Sequence, residues 1–341
     1  MNDTNRSKSI ESSRVGIMYE GLVTVVGGSG FVGRHIVRAL ARKGYRIRVA
    51  VRRPDLAGHL QPLGGVGQIH AVQANLRYPA SIEAACKDAD AVVNLAGLLY
   101  ETGKQTFPAV HVFGARVTGQ AAAEAGAGHV VHVSAIGADP ESPAEYGRTK
   151  AQGEAEIRNA FPDATILRPS VVFGPEDDFF NRFASLARFT PVLPLIGGGG
   201  TRFQPVFVGD VAAATCAVLE GDAAKGKTYE LGGPEVMTFE QVLRFIIKTV
   251  DRQRLLVPLP FSMARLNAAF LQLLPKPLLT IDQVKMLETD NVVSAEAQAD
   301  RRTLEGLGIS AQAVEAIVPD YLEQYRRAGQ FQPRRSANGN S

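Results

Sequence analysis

The sequence predicts a doubly wound α/β fold, a Rossmann-type parallel sheet carrying a smaller, mixed C-terminal lobe. Three observations predict it. Strand-like and helix-like segments alternate five or six times between Leu22 and Leu167, which calls for a parallel sheet with helices on both faces. A glycine-rich turn, 27–33, joins the first strand to the first helix. After Pro175 the alternation stops and a proline- and glycine-rich grammar begins.

The elements follow in order. Residues 1–20 are polar and aperiodic, carry Asp3 and Glu11, and lack the apolar stretch of a signal peptide, so a disordered tail is expected. Leu22–Val26 is a short β-rich run, and 31–43 reads as a helix. Arg46–Val51 alternates as a second strand, and 69–74, 91–95, 130–133 and 165–167 are further strands. Together these define a dinucleotide-binding domain over 21–175, to which 203–215 returns. The smaller lobe, for substrate or a partner, spans 176–325. It starts with a phenylalanine-rich helix at 179–189, then a loop with four glycines at 197–200, a strand at 203–208 and a helix at 211–219. Thr238 with Gln241, and Thr280 with Gln283, match the capping box that starts helices. Residues 326–341, rich in arginine and small polar residues, read as a second disordered tail.

Composition narrows the class. The chain has 341 residues, 45% hydrophobic and 21% charged, which suits a folded domain with a substantial core. Its net charge of +3 gives no argument for nucleic acid. Cys86 and Cys216 stand far apart, so neither a disulfide scaffold nor a cysteine-rich zinc site is expected, and a reducing compartment fits. The histidines show no metal-ligand spacing, and no metal is expected. No apolar run approaches the roughly 18–20 residues of a membrane span. These features point to a cytoplasmic protein.

The turn Gly27-Gly28-Ser29-Gly30-Phe31-Val32-Gly33 carries the first chemistry. Glycines at its first, fourth and seventh places let the backbone turn tightly and approach a pyrophosphate, and the last lets the helix pack on the strand. Exposed amides and the helix dipole then favour the diphosphate. An NAD site places an acidic residue about 20 positions on, against the ribose 2′-hydroxyl. Arg52 and Arg53 stand there instead, a pair suited to a 2′-phosphate, so NADP(H) is preferred, with NAD(H) open through Asp55.

These residues resemble the short-chain dehydrogenase/reductase superfamily in its extended or atypical form. The glycine turn matches G-x-x-G-x-x-G, Asn75-Leu76 resembles the pair bordering the adenine, and Asn94-Leu95-Ala96-Gly97 matches N-x-A-G. Tyr146-Gly147-Arg148-Thr149-Lys150 is a full Y-x-x-x-K, and Arg168-Pro169-Ser170 resembles the R-P segment near the nicotinamide. The resemblance implies a cofactor site at Gly27, Ser29, Gly30, Phe31, Val32, Gly33, Arg52, Arg53, Asn75, Leu76, Leu95, Ala96, Gly97, Ser134, Tyr146, Lys150, Arg168, Pro169 and Ser170. Phe173 to Asp177, Phe179 to Asn181, Pro205 to Val211, Tyr229 to Pro234 and Asp290 to Val293 are similar to one atypical, epimerase/dehydratase-like branch. That branch contains the NADPH-binding accessory subunit of respiratory complex I and its bacterial relatives, some linked to ubiquinone metabolism.

Tyr146 and Lys150 share a helix face, so both can meet the nicotinamide ribose, and the lysine's charge is expected to lower the phenol's pKa toward acid–base use. Ser134 is the third candidate, but Ala135 stands where extended relatives carry the orienting hydroxyl. Glu176, Asp177 and Asp178 form an acidic cluster that either lines the substrate cleft or caps the next helix, and the cap is favoured. Arg202 is a weaker candidate for reaching into the cleft. The functional expectation is an NADP(H)-binding accessory or assembly subunit of NADH:ubiquinone oxidoreductase or of quinone metabolism, with little or no turnover. An NADPH-dependent reductase, or a nucleotide-sugar epimerase/dehydratase using Tyr146 and Lys150, is the alternative. A redox-sensing regulator is a third class. The apolar stretch 261–274 reads either as a buried core helix or as a peripheral contact with a membrane or membrane-bound partner on the cytoplasmic or matrix side, helped by Lys276 and the basic tail.

Overall fold

The computed structural model describes residues 21–274 and 277–327. Both expected tails, apart from Arg326 and Arg327, and Lys276 lie outside the described residues. The first part runs β1 (Leu22–Val26), α1 (Phe31–Arg42), β2 (Arg46–Val51), β3 (Ile69–Gln73), α2 (Pro79–Cys86), β4 (Ala91–Asn94), α3 (Gly114–Glu124), β5 (His129–Val133), α4 (Glu145–Ala160) and β6 (Thr165–Pro169). Then come β7 (Val172–Phe173), α5 (Phe180–Phe189), β8 (Val192–Ile196), β9 (Arg202–Phe203), β10 (Val206–Phe207), α6 (Val208–Leu219), β11 (Thr228–Leu231) and β12 (Met237–Thr238). The chain closes through α7 (Phe239–Thr249), β13 (Leu255–Leu259), α8 (Phe261–Leu271), α9 (Ile281–Met286), α10 (Ala295–Ala299) and α11 (Val314–Leu322).

Seven parallel strands form the main sheet in the order β11-β6-β5-β4-β1-β2-β3. Val23, Val25, Val49, Val93, Val131 and Leu167 supply one buried face, and Val26, Val92, Val130 and Ile166 the other. That two-sided burial is what a sheet covered by helices on both faces requires. The order reverses between β1 and β4. Ligands of open α/β sheets bind at that reversal, outside the carboxyl ends of the strands. Both the glycine turn after β1 and Leu95-Ala96-Gly97 after β4 open there.

A second core lies between α5, α7, α8 and α11, with Phe173, Phe180, Phe239, Leu243, Val284 and Val318 fully buried. The parallel pair β8 and β13 covers one side of it, each strand bearing a proline in a two-stranded edge where that is tolerated. Both capping boxes form as read, starting α7 and α9.

Two expectations need correction. The strand at 203–208 is two strands. Pro205 has no N–H to give, so β9 pairs antiparallel with β12 while β10 turns to pair with β7. The return to the first lobe does not end at 215 but continues through β11, whose Tyr229 and Leu231 point into the first core; Leu304 also joins that core. Of the two readings of 261–274, the exposed one fits most of the helix: α8 ends at Leu271 and packs through Phe261, Ala264 and Ala268, leaving Met263, Leu266 and Phe270 at 55%, 62% and 68% exposure.

Candidate functional site

One cavity of about 980 Å³ runs from the glycine turn across the strand ends into the second lobe. At its first end Gly27, Ser29, Gly30, Phe31, Val32 and Gly33 line the wall. Gly27 sits at φ +81°, where glycine alone is at ease. A Cβ on Gly33 would stand 2.6 Å from the Gly28 backbone, so the helix approaches the turn as closely as it can. A Cβ on Gly30 would meet nothing nearer than the Gly27 carbonyl oxygen at 3.7 Å, so this glycine leaves room on the cavity side. α1 has no side-chain cap and no acidic residue in its first turn. Its first amides are left for an anion, and the residues fit a pyrophosphate.

The next stretch of wall is Ala50, Arg52, Ala74, Asn75, Leu76 and Arg77. Arg52 faces the cavity as expected, but Arg53 does not. Its guanidinium grips Asp55 twice, Nε to Oδ1 at 2.9 Å and Nη2 to Oδ2 at 2.6 Å, which also occupies the carboxylate offered to an NAD ribose. Arg77 lines the same wall. Sequence reasoning missed it because it follows the third strand, outside the position where a partner for the 2′-group is sought.

After β4, Leu95, Ala96 and Gly97 continue the wall. The Asn94 amide shapes this turn: Oδ1 accepts the Ala96 N–H at 3.1 Å while Nδ2 donates to His132 Nδ1 at 3.1 Å. That leaves the His132 proton on Nε2, and burial with the nearby Lys150 charge holds this ring neutral. Beyond the end of β5, Ser134 lines the cavity, and its buried hydroxyl has no hydrogen-bond partner among the described residues. Ala135 lies beside it.

Tyr146 and Lys150 enter from the first turns of α4. The Asp282 carboxylate of α9 accepts the Glu145 N–H at 2.6 Å and the Tyr146 N–H at 3.0 Å, so the second lobe caps the tyrosine's helix. Lys150 Nζ donates to the Val133 carbonyl oxygen at 2.9 Å. Burial pulls its pKa down to about 8, with Glu154 opposing. Burial pushes the Tyr146 phenol up to about 12. The expected lowering of that phenol by Lys150 is therefore corrected: removal from water sets the direction of the shift.

His111 is a positioning residue that the sequence did not reveal. It lies in the π-helical turn Pro108–Phe113, where Nε2 accepts the Leu98 N–H at 3.1 Å and Nδ1 donates to Thr149 Oγ1 at 3.0 Å. Its ring packs edge-on against Tyr146 at 5.4 Å between centroids, and Phe107 does the same from 5.9 Å. Burial pushes its pKa down to about 3, so it stays neutral and holds one tautomer.

The remaining candidates divide. Pro169 and Ser170 line the cavity. The Ser170 hydroxyl donates to Asn291 Oδ1 at 2.6 Å, and Asn291 Nδ2 reaches the Ile136 carbonyl oxygen, so the 290–293 segment straps the ends of β5 and β6. Arg168 turns away: it holds Glu154 at 2.8 and 2.7 Å, joining β6 to α4. Arg202 also misses the cleft, its guanidinium taken by Asp290 at 2.7 Å. Asp177 is the helix cap that the acidic cluster suggested, accepting the Phe180 N–H at 2.6 Å. Glu176 instead pairs with Arg34 and His35 of α1.

Comparison with known proteins adds the following. Residues 23–232 match the model of the NAD dependent epimerase/dehydratase family. The chain is 36% identical over 320 residues to "NADH dehydrogenase [ubiquinone] 1 alpha subcomplex subunit 9, mitochondrial" of Arabidopsis thaliana, covering 90% of this chain and 79% of that protein. It is 35% identical over 197 residues to a ceramide reductase of Caulobacter vibrioides, covering 58% and 60% of the two chains. Among solved structures, a dTDP-glucose 4,6-dehydratase of Streptomyces venezuelae superposes with a TM-score of 0.68 at 20% identity, covering 89% and 96%.

Proposed function

The chain belongs to the NAD dependent epimerase/dehydratase family, and from that premise we propose that its cleft holds NADP(H) and that the protein is an accessory or assembly subunit of a respiratory NADH:ubiquinone oxidoreductase (complex I), with little or no turnover of its own. The observation that carries this reading is kinship over nine-tenths of the chain, both lobes included, with an alpha subcomplex subunit of that enzyme. The site supports it. A general acid works best with a pKa near the operating pH, whereas the Tyr146 phenol lies near 12 and Ala135 offers no hydroxyl to orient a carbonyl. Arg52 and Arg77 favour the phosphorylated cofactor. Among the described residues no helix is long and apolar enough to cross a membrane; the proposal takes the association with the membrane enzyme as peripheral, on its inner or matrix face.

The test is fractionation. Endogenous protein should co-migrate with NADH:ubiquinone oxidoreductase, or one of its assembly intermediates, on native gels of mildly solubilised membranes. Migration only as a free species would overturn the reading.

A second reading, an NADPH-dependent reductase, is favoured by one observation: Ser134, Tyr146 and Lys150 line the same cavity, and the Ser134 hydroxyl has no hydrogen-bond partner among the described residues. NADPH oxidation with a panel of carbonyl compounds, abolished in Tyr146→Phe, would promote it over the accessory role.

A further inference from the structure

The cavity has two halves of different chemistry. The half between the glycine turn and Lys150 offers amides, arginines and hydroxyls. The half inside the second lobe is walled by Phe179, Phe183 and Leu186, which follow one side of α5, with Leu193, Ile196 and Met286 completing the wall. From Phe179 to Leu186 that wall extends about 10 Å along the helix, at 1.5 Å per residue. Asp178, Arg182 and Gln283 are the polar side chains there beside Thr190. A nucleotide-sugar cleft needs donors for a diphosphate and for several sugar hydroxyls, and unpaired hydroxyls against an apolar wall are penalised.

The apolar half also has an apolar mouth. Val192 and Leu278 line the cavity and are 39% and 52% exposed. Leu271 lines it too, at the end of α8, and the exposed Phe270, Leu273 and Leu274 adjoin it in the chain. α8 packs through Phe261, Ala264 and Ala268, and its exposed larger side chains, beside Leu271 in the cavity wall, form a surface continuous with that wall. Such a patch marks a protein or membrane contact. Continuity with a chain-shaped apolar cavity favours the membrane.

We propose that the second-lobe half of the cavity binds the long aliphatic chain of a membrane lipid, with its oxygen-bearing head directed toward Tyr146 and Ser134, and that the chain enters from a bilayer on which Leu266, Phe270 and Leu273 rest. The proposal rests on reading the other half as the nicotinamide site. It holds whether the lipid is a bound structural ligand or a slowly reduced substrate.

The experiment uses the full chain saturated with NADPH and titrated by calorimetry with straight-chain primary alcohols from hexanol to tetradecanol. Affinity should rise about fourfold per added methylene until the half is filled, the factor expected for a buried CH₂. Leu186→Trp should weaken dodecanol at least about tenfold and leave NADPH affinity unchanged. UDP-glucose should not displace dodecanol. A flat series, or displacement by UDP-glucose, overturns the lipid site while NADPH still binds; failure of NADPH to bind overturns the cofactor reading instead. The route is tested with phosphatidylcholine–cardiolipin vesicles carrying a pyrene-labelled fatty alcohol. Phe270→Ser with Leu273→Ser should slow uptake from vesicles about tenfold and leave octanol affinity in solution unchanged. Equal uptake rates would overturn entry from the bilayer.

Discussion

Lys150 Nζ donates to the Val133 carbonyl oxygen at 2.9 Å, so the buried ammonium is fixed to the end of β5. Burial brings its pKa from 10.5 down to about 8, a cost on the order of 3 kcal/mol to the charged form. Because the folded value lies below the unfolded one, the unfolded chain binds more protons between pH about 8 and 10.5, and stability rises with pH across that window. Lys150→Met removes the buried charge and leaves the Val133 carbonyl short of one donor. It should stabilise the fold by roughly 1–2 kcal/mol at pH 7, with the gain shrinking toward pH 10, and lower NADPH affinity. Urea midpoints at the two pH values check it; a variant less stable at pH 7 would sink the argument.

Gly33 and Gly30 separate fold from ligand. In Gly33→Ala the new methyl lies 2.6 Å from the Gly28 backbone, which must move, so a loss of about 2–3 kcal/mol and of cofactor binding is expected. In Gly30→Ala the nearest atom is 3.7 Å away and φ is −75°, so stability should hold within about 1 kcal/mol. The methyl still stands in the cavity before the α1 amides, and NADPH affinity should fall about tenfold. Thermal melts with and without NADPH distinguish the two; equal behaviour would mean that no diphosphate approaches this turn.

The arginines divide by what holds them. Arg53 is engaged by Asp55, whereas Arg52 and Arg77 line the cavity. A charge-assisted contact to a phosphate contributes about 1.5–3 kcal/mol, so Arg52→Ala or Arg77→Ala should reduce the NADPH over NADH preference roughly tenfold to a hundredfold. Arg53→Ala should leave it within about threefold. Competitive calorimetry with the two cofactors gives the ratios, and an effect confined to Arg53→Ala would reverse the assignment.

The legible parts of the fold were local. The glycine turn, both capping boxes and the β-branched strands announce themselves within a few residues, because turn geometry, amide satisfaction and alternation act at short range. What stayed hidden depends on distant partners. Arg53 reads as a phosphate ligand in sequence, but Asp55 holds it; Arg168 reads as part of the segment near the nicotinamide, but Glu154 holds it. His111 carries no spacing signal, since its partners Leu98 and Thr149 meet only when the π-helical turn crosses α4. β11 was missed as a strand because four residues at a sheet edge give too short a pattern. α8 was ambiguous for another reason: an all-round apolar helix reads alike whether its leucines or its alanines face the core.

Asp177 joins the start of α5 to the last helix. Oδ1 accepts the Phe180 N–H at 2.6 Å and the Asn181 N–H at 3.2 Å, and Oδ2 accepts the Gly174 N–H at 3.2 Å and the Tyr321 hydroxyl at 2.6 Å. Burial holds the carboxyl above its ordinary value in spite of these donors. In Asp177→Asn the amide oxygen can keep the α5 amides while Nδ2 donates to a rotated Tyr321 hydroxyl, orphaning only Gly174, so a cost of about 1 kcal/mol is expected. Asp177→Ala orphans all four donors and should cost about 3 kcal/mol. Tyr321→Phe, mild alone, should become severe beside Asp177→Asn, because Nδ2 then has no acceptor. The pH dependence has a definite sign. A folded-state value raised above 3.8 contributes stability that is full below 3.8 and is lost as the pH rises through the folded value. The penalty of Asp177→Asn should therefore be larger at pH 4 than at pH 7. Equal penalties for Asn and Ala in urea unfolding would mean that the carboxylate's donors do not hold α11 in place.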